Sequence, residues 1–236
     1  MSTKQTPTYS LRALAHIVGY PSAELRAALP DLREALRAEQ ALPASRQQGL
    51  ETLIESLAQR DALTVEAEYV ELFDRGRATS LHLFEHVHGD SRDRGPAMID
   101  LLKTYEQGGL YLDPAQVNGE LPDYLPIVLE FISTLPHEQM VGFVGEIAHI
   151  LNALYAALLK RRSWYAHVPA AVLELGEQAI TLVDVPEEEA LDATWLEPDA
   201  FGGCTSKGQQ SPDQPQPIQI VRRNTNAAGQ HRGASA

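Results

Sequence analysis

The sequence predicts an all-α fold: a single globular bundle of about eight or nine helices, followed by a flexible C-terminal tail. Three observations carry that prediction. Apolar residues recur at three- and four-residue spacing through most of positions 1–201. Pro, Gly and Ser stand at the joints between those runs, and outside the tail no stretch alternates strictly over the length of a strand. After Phe201 the composition changes: "GGCTSKGQQSPDQPQPIQIVRRNTNAAGQHRGASA" has no helical period and too little apolar surface to offset its ordering entropy. The expected division is an all-helical domain over 1–201 and a Gly/Gln/Pro-rich tail over 202–236. Within that tail, "PIQIVRR" is the one stretch suited to dock as an extended arm.

The elements follow in order. "YSLRALAHIVGY" sets Leu11, Leu14, Ala15 and Val18 on one face, with Ser10 as the expected N-cap and Gly19 as the stop. "PSAELRAALPDLREALRAEQ" is capped by Ser22, carries Glu24 in its first turn and is expected to be interrupted at Pro30. "PASRQQGLETLIESLAQ" aligns Leu50, Leu53, Ile54 and Leu57. "DALTVEAEYVELFDR" aligns Leu63, Ala67, Val70 and Phe73, with acids between them. A helix over 79–88 comes next, then one entered near Pro96, where a missing N–H costs little, and stopped at Gly108–Gly109. "LPDYLPIVLEFISTLP" gives a turn with Asp123 near the cap and a short apolar helix closed by Pro136. The longest helix spans 137–161, and "HVPAAVLELGEQAITLV" supplies the last. No internal repeat is present.

Charge and cysteine usage narrow the function. With 32 acids against 19 basic residues the net charge is −13, and no basic stripe of useful length exists for nucleic acid. Such a chain favours cationic partners. The single Cys204 excludes an internal disulfide framework, a Cys-rich zinc site or a Cys-ligated iron–sulfur cluster within one chain. The N-terminus has no signal-peptide pattern, and the most membrane-like run, 141–159, is broken at helical spacing by Glu146, His149 and Asn152. A cytoplasmic protein without direct membrane insertion is expected.

The run "SLHLFEHVHGDSRDRGPAMIDLL" (80–102) admits three readings. On a helix, His82 and His86 would share a face and, with Glu85 or Asp90, hold a metal, although H-E-x-x-H is lacking. A histidine would serve general acid–base chemistry, although no nucleophile motif or phosphate-cradling loop accompanies it. Alternatively the run is a recognition surface, its apolar residues interleaved with acids to suit a basic amphipathic helix. Against that stands the plainer possibility that Phe73, Leu81 and Phe84 are core, and that Asp90, Arg92, Asp93 and Arg94 brace a helix junction.

The E-x-x-x-L-F-x-x-G run ending at Gly76, the F-E-H-V-H-G-D-S-R-D-R-G run from Phe84, "GELPDYLPIVLEFIS" and "FVGEIAHILNALYAALLKRRSWYA" together closely resemble the NarJ family, molybdenum-cofactor assembly chaperones of respiratory nitrate reductase. The resemblance covers roughly 8–201 and extends more loosely to the TorD-like redox-enzyme maturation chaperones. It implies no catalytic residue, metal ligand or cofactor. It implies instead a cytoplasmic holdase for the apo catalytic (alpha) subunit, grasped chiefly at its N-terminal segment until molybdenum cofactor and iron–sulfur cluster are inserted. A relative serving another molybdoenzyme and a small helical metalloprotein are the alternatives, and the oligomeric state stays open. On the holdase reading, a groove among the helices at 61–75, 79–88, 96–108 and 123–135 takes the client segment. Leu72, Phe73, Leu83, Phe84, Tyr124 and Leu125 form its expected floor, and Glu68, Glu71, Asp74, Glu85 and Asp123 its rim. His86 and His88, if beside rim carboxylates, would make its charge depend on pH.

Overall fold

The structure, a computed structural model, describes residues 4–89, 91–113, 117 and 119–184. The expected tail, its "PIQIVRR" arm and Cys204 lie outside the described residues. Nine α-helices are described: α1 (Thr8–Val18), α2 (Ala23–Glu39), α3 (Ala44–Gln59), α4 (Ala62–Phe73), α5 (Leu83–Val87), α6 (Arg94–Gln107), α7 (Leu125–Thr134), α8 (His137–Lys160) and α9 (His167–Leu175). Short 3-10 turns at Arg77–Thr79 and Trp164–Ala166 join some of them. Among the described residues there is no strand, only an isolated antiparallel bridge between His82 and Tyr124. The all-α prediction holds.

The core forms where α1 packs on α7 and α2, α8 on α9, and α9 on α3. Leu11, Leu14, Ile17, Leu50, Ile54, Leu129 and Ile132 are fully buried there. Helix α8 is long and apolar enough to cross a membrane by length and composition alone, yet half of its most apolar window is buried in the bundle. Its expected polar seam splits: Glu146 and His149 are exposed, while Asn152 is buried. The Asn152 amide donates to the carbonyls of Ala148 and Ala179 and accepts from the Thr181 N–H, pinning residues 179–181 along the helix.

Several local expectations give way to tertiary partners. Ser10 is not the cap of α1; it lies buried inside a helix that begins at Thr8 after Pro7. The free N–H groups of Tyr9 and Ser10 are taken by the Glu39 carboxylate at the end of α2, at 3.2 and 2.7 Å. Ser22 does cap α2, accepting the Leu25 N–H at 3.2 Å. Pro30 does not interrupt that helix; it sits on the exposed face, where the carbonyl deprived of its partner can turn to water.

Of the face expected for α4, Phe73 is buried, while Leu63, Ala67 and Val70 are exposed. Val65, Tyr69 and Phe73 are buried, whereas Leu63 is 75% and Val70 38% exposed. The apolar residues of ALTVEAEYVELF satisfy two helical stripes, and the bulkier one wins. Tyr69 and Phe73 pack on each other at 4.7 Å and edge-on against Tyr165 at 5.9 and 5.0 Å.

Gly49 marks a close approach of α3 to α9: a Cβ there would overlap the His167 imidazole. That ring is held by Arg46 at 3.0 Å and stacked on Trp164 at 5.9 Å. Gly49→Val should therefore destabilise the fold by about 1–3 kcal/mol, seen as a lowered Tm in thermal melts monitored by circular dichroism.

Candidate functional site

The histidine-rich run folds as a junction and not as one helix. After the 3-10 turn at Arg77–Thr79, fastened by the Thr79 hydroxyl donating to the Leu72 carbonyl, residues 80–82 are extended, and only Leu83–Val87 are helical. The extended part pairs with the stretch before α7: Leu125 N–H donates to the Leu81 carbonyl at 2.8 Å, and Leu83 N–H to the Asp123 carbonyl at 3.0 Å.

At the centre is the Asp123 carboxylate, which has no exposed surface. One oxygen accepts the Phe84 N–H at 3.0 Å, so Asp123 caps α5 from outside that helix, whereas Tyr124 is the cap residue of its own α7. The other oxygen lies 3.3 Å from His82 Nδ1. Arg94, at the start of α6, reaches Asp123 at 3.7 Å and Glu85 at 3.3 Å. His82 Nε2 also faces Glu120 at 3.6 Å, and its ring lies 5.3 Å from that of Tyr124. The hydrogen bond to Asp123 raises the His82 pKa; burial opposes it, and the charges of Asp123, Glu120 and Glu85 add to it.

His82 and His86 do not share a helix face. His82 precedes α5 and turns to Asp123, while His86 Nε2 bonds the Ser80 carbonyl at 2.9 Å. The arrangement that made them a metal-ligand pair is thus not formed; Asp90 lies outside the described residues. His88 packs edge-on against Phe84 at 5.6 Å. Of the three histidines in this run, His82 is the one with carboxylate contacts among the described residues, so the condition placed on His86 and His88 is met instead by His82.

The predicted groove residues divide. Phe73, Leu83 and Leu125 are core side chains and Asp123 is a buried junction carboxylate, so none of the four forms an open floor or rim. Burial follows from the aromatic packing of α4 and from the pairing of 81–83 with 123–125. Phe84, Glu85, His86, His88 and Tyr124 are half-buried around the junction. Glu68, Glu71 and Asp74 are exposed on α4; Glu68 takes both arms of Arg60 at 2.7 and 2.5 Å, and Glu71 pairs with Arg75 at 2.8 Å. Together with Leu72, Glu68 and Glu71 line a cavity of about 490 Å³ that also includes Arg60, Trp164 and Tyr165. The Tyr165 hydroxyl there is buried and has no hydrogen-bond partner among the described residues.

A second depression of about 840 Å³ escaped the sequence reading. It lies between α1, α2 and α7, and brings Tyr124 together with Tyr20, Glu24, Ile127 and Glu130. Its residues are scattered over more than 100 positions of sequence, so no local motif reveals it.

The described residues form an all-helical bundle in which the buried Asp123 carboxylate braces a junction. Its fold is that of a redox-enzyme maturation protein from Archaeoglobus fulgidus, superposing with a TM-score of 0.53 at 17% identity over 75% of this chain and 98% of that one. The profile of the family described as nitrate reductase delta subunit matches residues 20–168. The nitrate reductase molybdenum cofactor assembly chaperone NarJ of Escherichia coli K12 is 43% identical over 194 residues, covering 78% of this chain and 80% of that protein. A probable chaperone of the same name from Bacillus subtilis is 33% identical, covering 73% and 91%. The chain belongs to the nitrate reductase delta subunit family, in its NarJ-type chaperone branch.

Two outcomes test the junction. Arg94→Ala leaves the buried Asp123 charge with His82 as its one cationic neighbour and should cost about 2 kcal/mol, whereas Arg92, exposed, should tolerate Ala with little change in Tm. For His82 the raised folded-state pKa fixes the sign: its stabilisation is complete below the ordinary histidine value and is lost as pH rises through the raised value. Wild-type Tm should fall over that interval relative to His82→Gln; parallel curves for the two proteins would refute the assignment.

Proposed function

We propose that this chain is a dedicated assembly chaperone of respiratory nitrate reductase. It holds the apo catalytic (alpha) subunit, mainly by its N-terminal segment, while molybdenum cofactor is inserted and before the enzyme docks on the membrane. The observation that carries this reading is 43% identity over most of the chain to a protein named for that role. The chaperone itself transforms no substrate, and it acts in the cytoplasm, where the apo subunit is made.

The surface chemistry agrees with such a partner. The chain carries a net charge of −13, and the predicted contact residues that stay accessible are mainly acids and aromatics. Glu68, Glu71 and Asp74 border the exposed Leu63–Val70 stripe of α4, and Leu72, Phe84 and Tyr124 offer half-buried apolar surface. Glu85, His86 and His88 surround Phe84. A segment bearing Lys or Arg beside apolar side chains complements both features. Binding the unfinished client lowers its chance of docking early, and folding of the client terminus after cofactor insertion favours release.

Titration of the full-length chaperone with a peptide of the first residues of the nitrate reductase catalytic subunit should give binding near micromolar, about −8 kcal/mol. The affinity should fall as salt is raised. No binding at low salt, or unchanged nitrate reductase assembly in cells lacking the chaperone, would overturn the reading.

A further inference from the structure

Where the chain leaves α8, four consecutive residues, Arg162, Ser163, Trp164 and Tyr165, line the cavity of about 490 Å³ beside α4. Arg162 has a φ of 53°, in the left-handed region. Its N–H donates to the Leu159 carbonyl at 2.9 Å, and the Ser163 N–H to the Leu158 carbonyl at 3.0 Å. The helix thus ends in a turn that glycine adopts freely and an L side chain adopts at a cost. An arginine kept in such a place is explained when its side chain is needed. Among the described residues the Arg162 guanidinium makes no ion pair or hydrogen bond.

The rest of the lining is apolar or already engaged. Leu53, Leu57 and Val65 are buried, Leu72 is half-buried, and Trp164 stands at the edge, 50% exposed. The Tyr165 side chain is buried, and its hydroxyl has no partner among the described residues. Burial pushes its pKa upward, which keeps the phenol a donor. A buried donor left unmatched carries a desolvation penalty that a bound acceptor removes. Glu68 takes both arms of Arg60, and Glu71 pairs with Arg75 at 2.8 Å. These two carboxylates also limit the charge of any occupant. A polyanion would crowd them, whereas one carboxylate can meet a guanidinium without that repulsion.

We propose that this cavity binds a small monocarboxylate with an apolar body, such as an arylalkyl acid. The carboxylate accepts from the Arg162 guanidinium, the body lies on Leu57, Val65 and Leu72, and the Tyr165 hydroxyl donates to the ligand. The volume is that of a small-molecule site, for which about 300–1,000 Å³ is usual. Arg162 selects the charge and the aliphatic walls select the body, so neither an apolar amide nor a bare anion satisfies both. The site is independent of the chaperone reading.

The test is calorimetric titration of the full chain with phenylbutyrate and with its neutral analogue, phenylbutyramide. The acid should bind about tenfold more tightly than the amide, and inorganic phosphate should not compete. Arg162→Gln should bring acid and amide to equal affinity. Arg162→Gly should do the same while raising Tm by about 1–4 °C, because glycine relieves the left-handed backbone; selectivity is then lost without loss of fold. Ser56→Trp, which fills the cavity from α3, should abolish binding of both compounds. Glu146→Gln on the exposed side of α8 is the control and should change nothing. No binding of phenylbutyrate, equal affinity of wild type for acid and amide, or competition by phosphate contradicts the proposal. So does an acid preference that survives Arg162→Gln, or binding that survives Ser56→Trp.

Discussion

A carboxylate removed from solvent has to be met by hydrogen bonds and positive charge, and Asp123 imposes that condition on the middle of the chain. The Phe84 N–H, His82 and Arg94 meet it, and each comes from a different local element: the first turn of α5, the extended stretch before it and the start of α6. Because Asp123 itself precedes α7, one buried charge ties four segments to a single geometry. Tyr105 adds a further tie, donating its hydroxyl to the Pro122 carbonyl at 2.7 Å. The acid- and histidine-rich composition of 80–94 thus serves architecture first. Among its described side chains, His82, Glu85 and Arg94 are engaged with Asp123 or with one another, and His86 with the Ser80 carbonyl.

That economy shapes how such a protein can work. A chaperone for a redox enzyme needs a surface that recognises an immature chain, holds it with moderate strength and lets go. Carboxylates at the edge of apolar depressions give attraction over several ångströms and contacts weak enough to reverse. Exposed charges on α2, α4 and α7 cost the fold little, because they remain hydrated until a partner arrives. The junction around Asp123 fixes how α5, α6 and the start of α7 meet.

Much of this was legible in the sequence, for physical reasons that can be named. Helical periodicity and joints such as Gly19, Ser22, Gly108 and Pro136 act over three or four residues, so they mark helices without knowledge of the rest of the chain. The family resemblance was legible because the run from Phe84 to Gly95 packs unusual residues into fixed order. The bracing role expected for Arg94 was also readable, since an arginine among acids at a helix start needs a partner nearby.

What the tertiary structure decided were the choices that local spacing leaves balanced. Helix α4 has two apolar stripes, and only the aromatic cluster with Tyr165 selects which is buried. The start of α1 depends on Glu39, some 30 residues away, and the cap of α5 on Asp123, some 40 away. Pairing of 81–83 with 123–125 overrode a helix over 79–88 and parted His82 from His86. The depression between α1, α2 and α7 joins helices whose adjacency no short motif encodes. Helix propensity and order of elements are sums over neighbours in sequence; burial, capping from a distance and the shape of a groove are properties of neighbours in space.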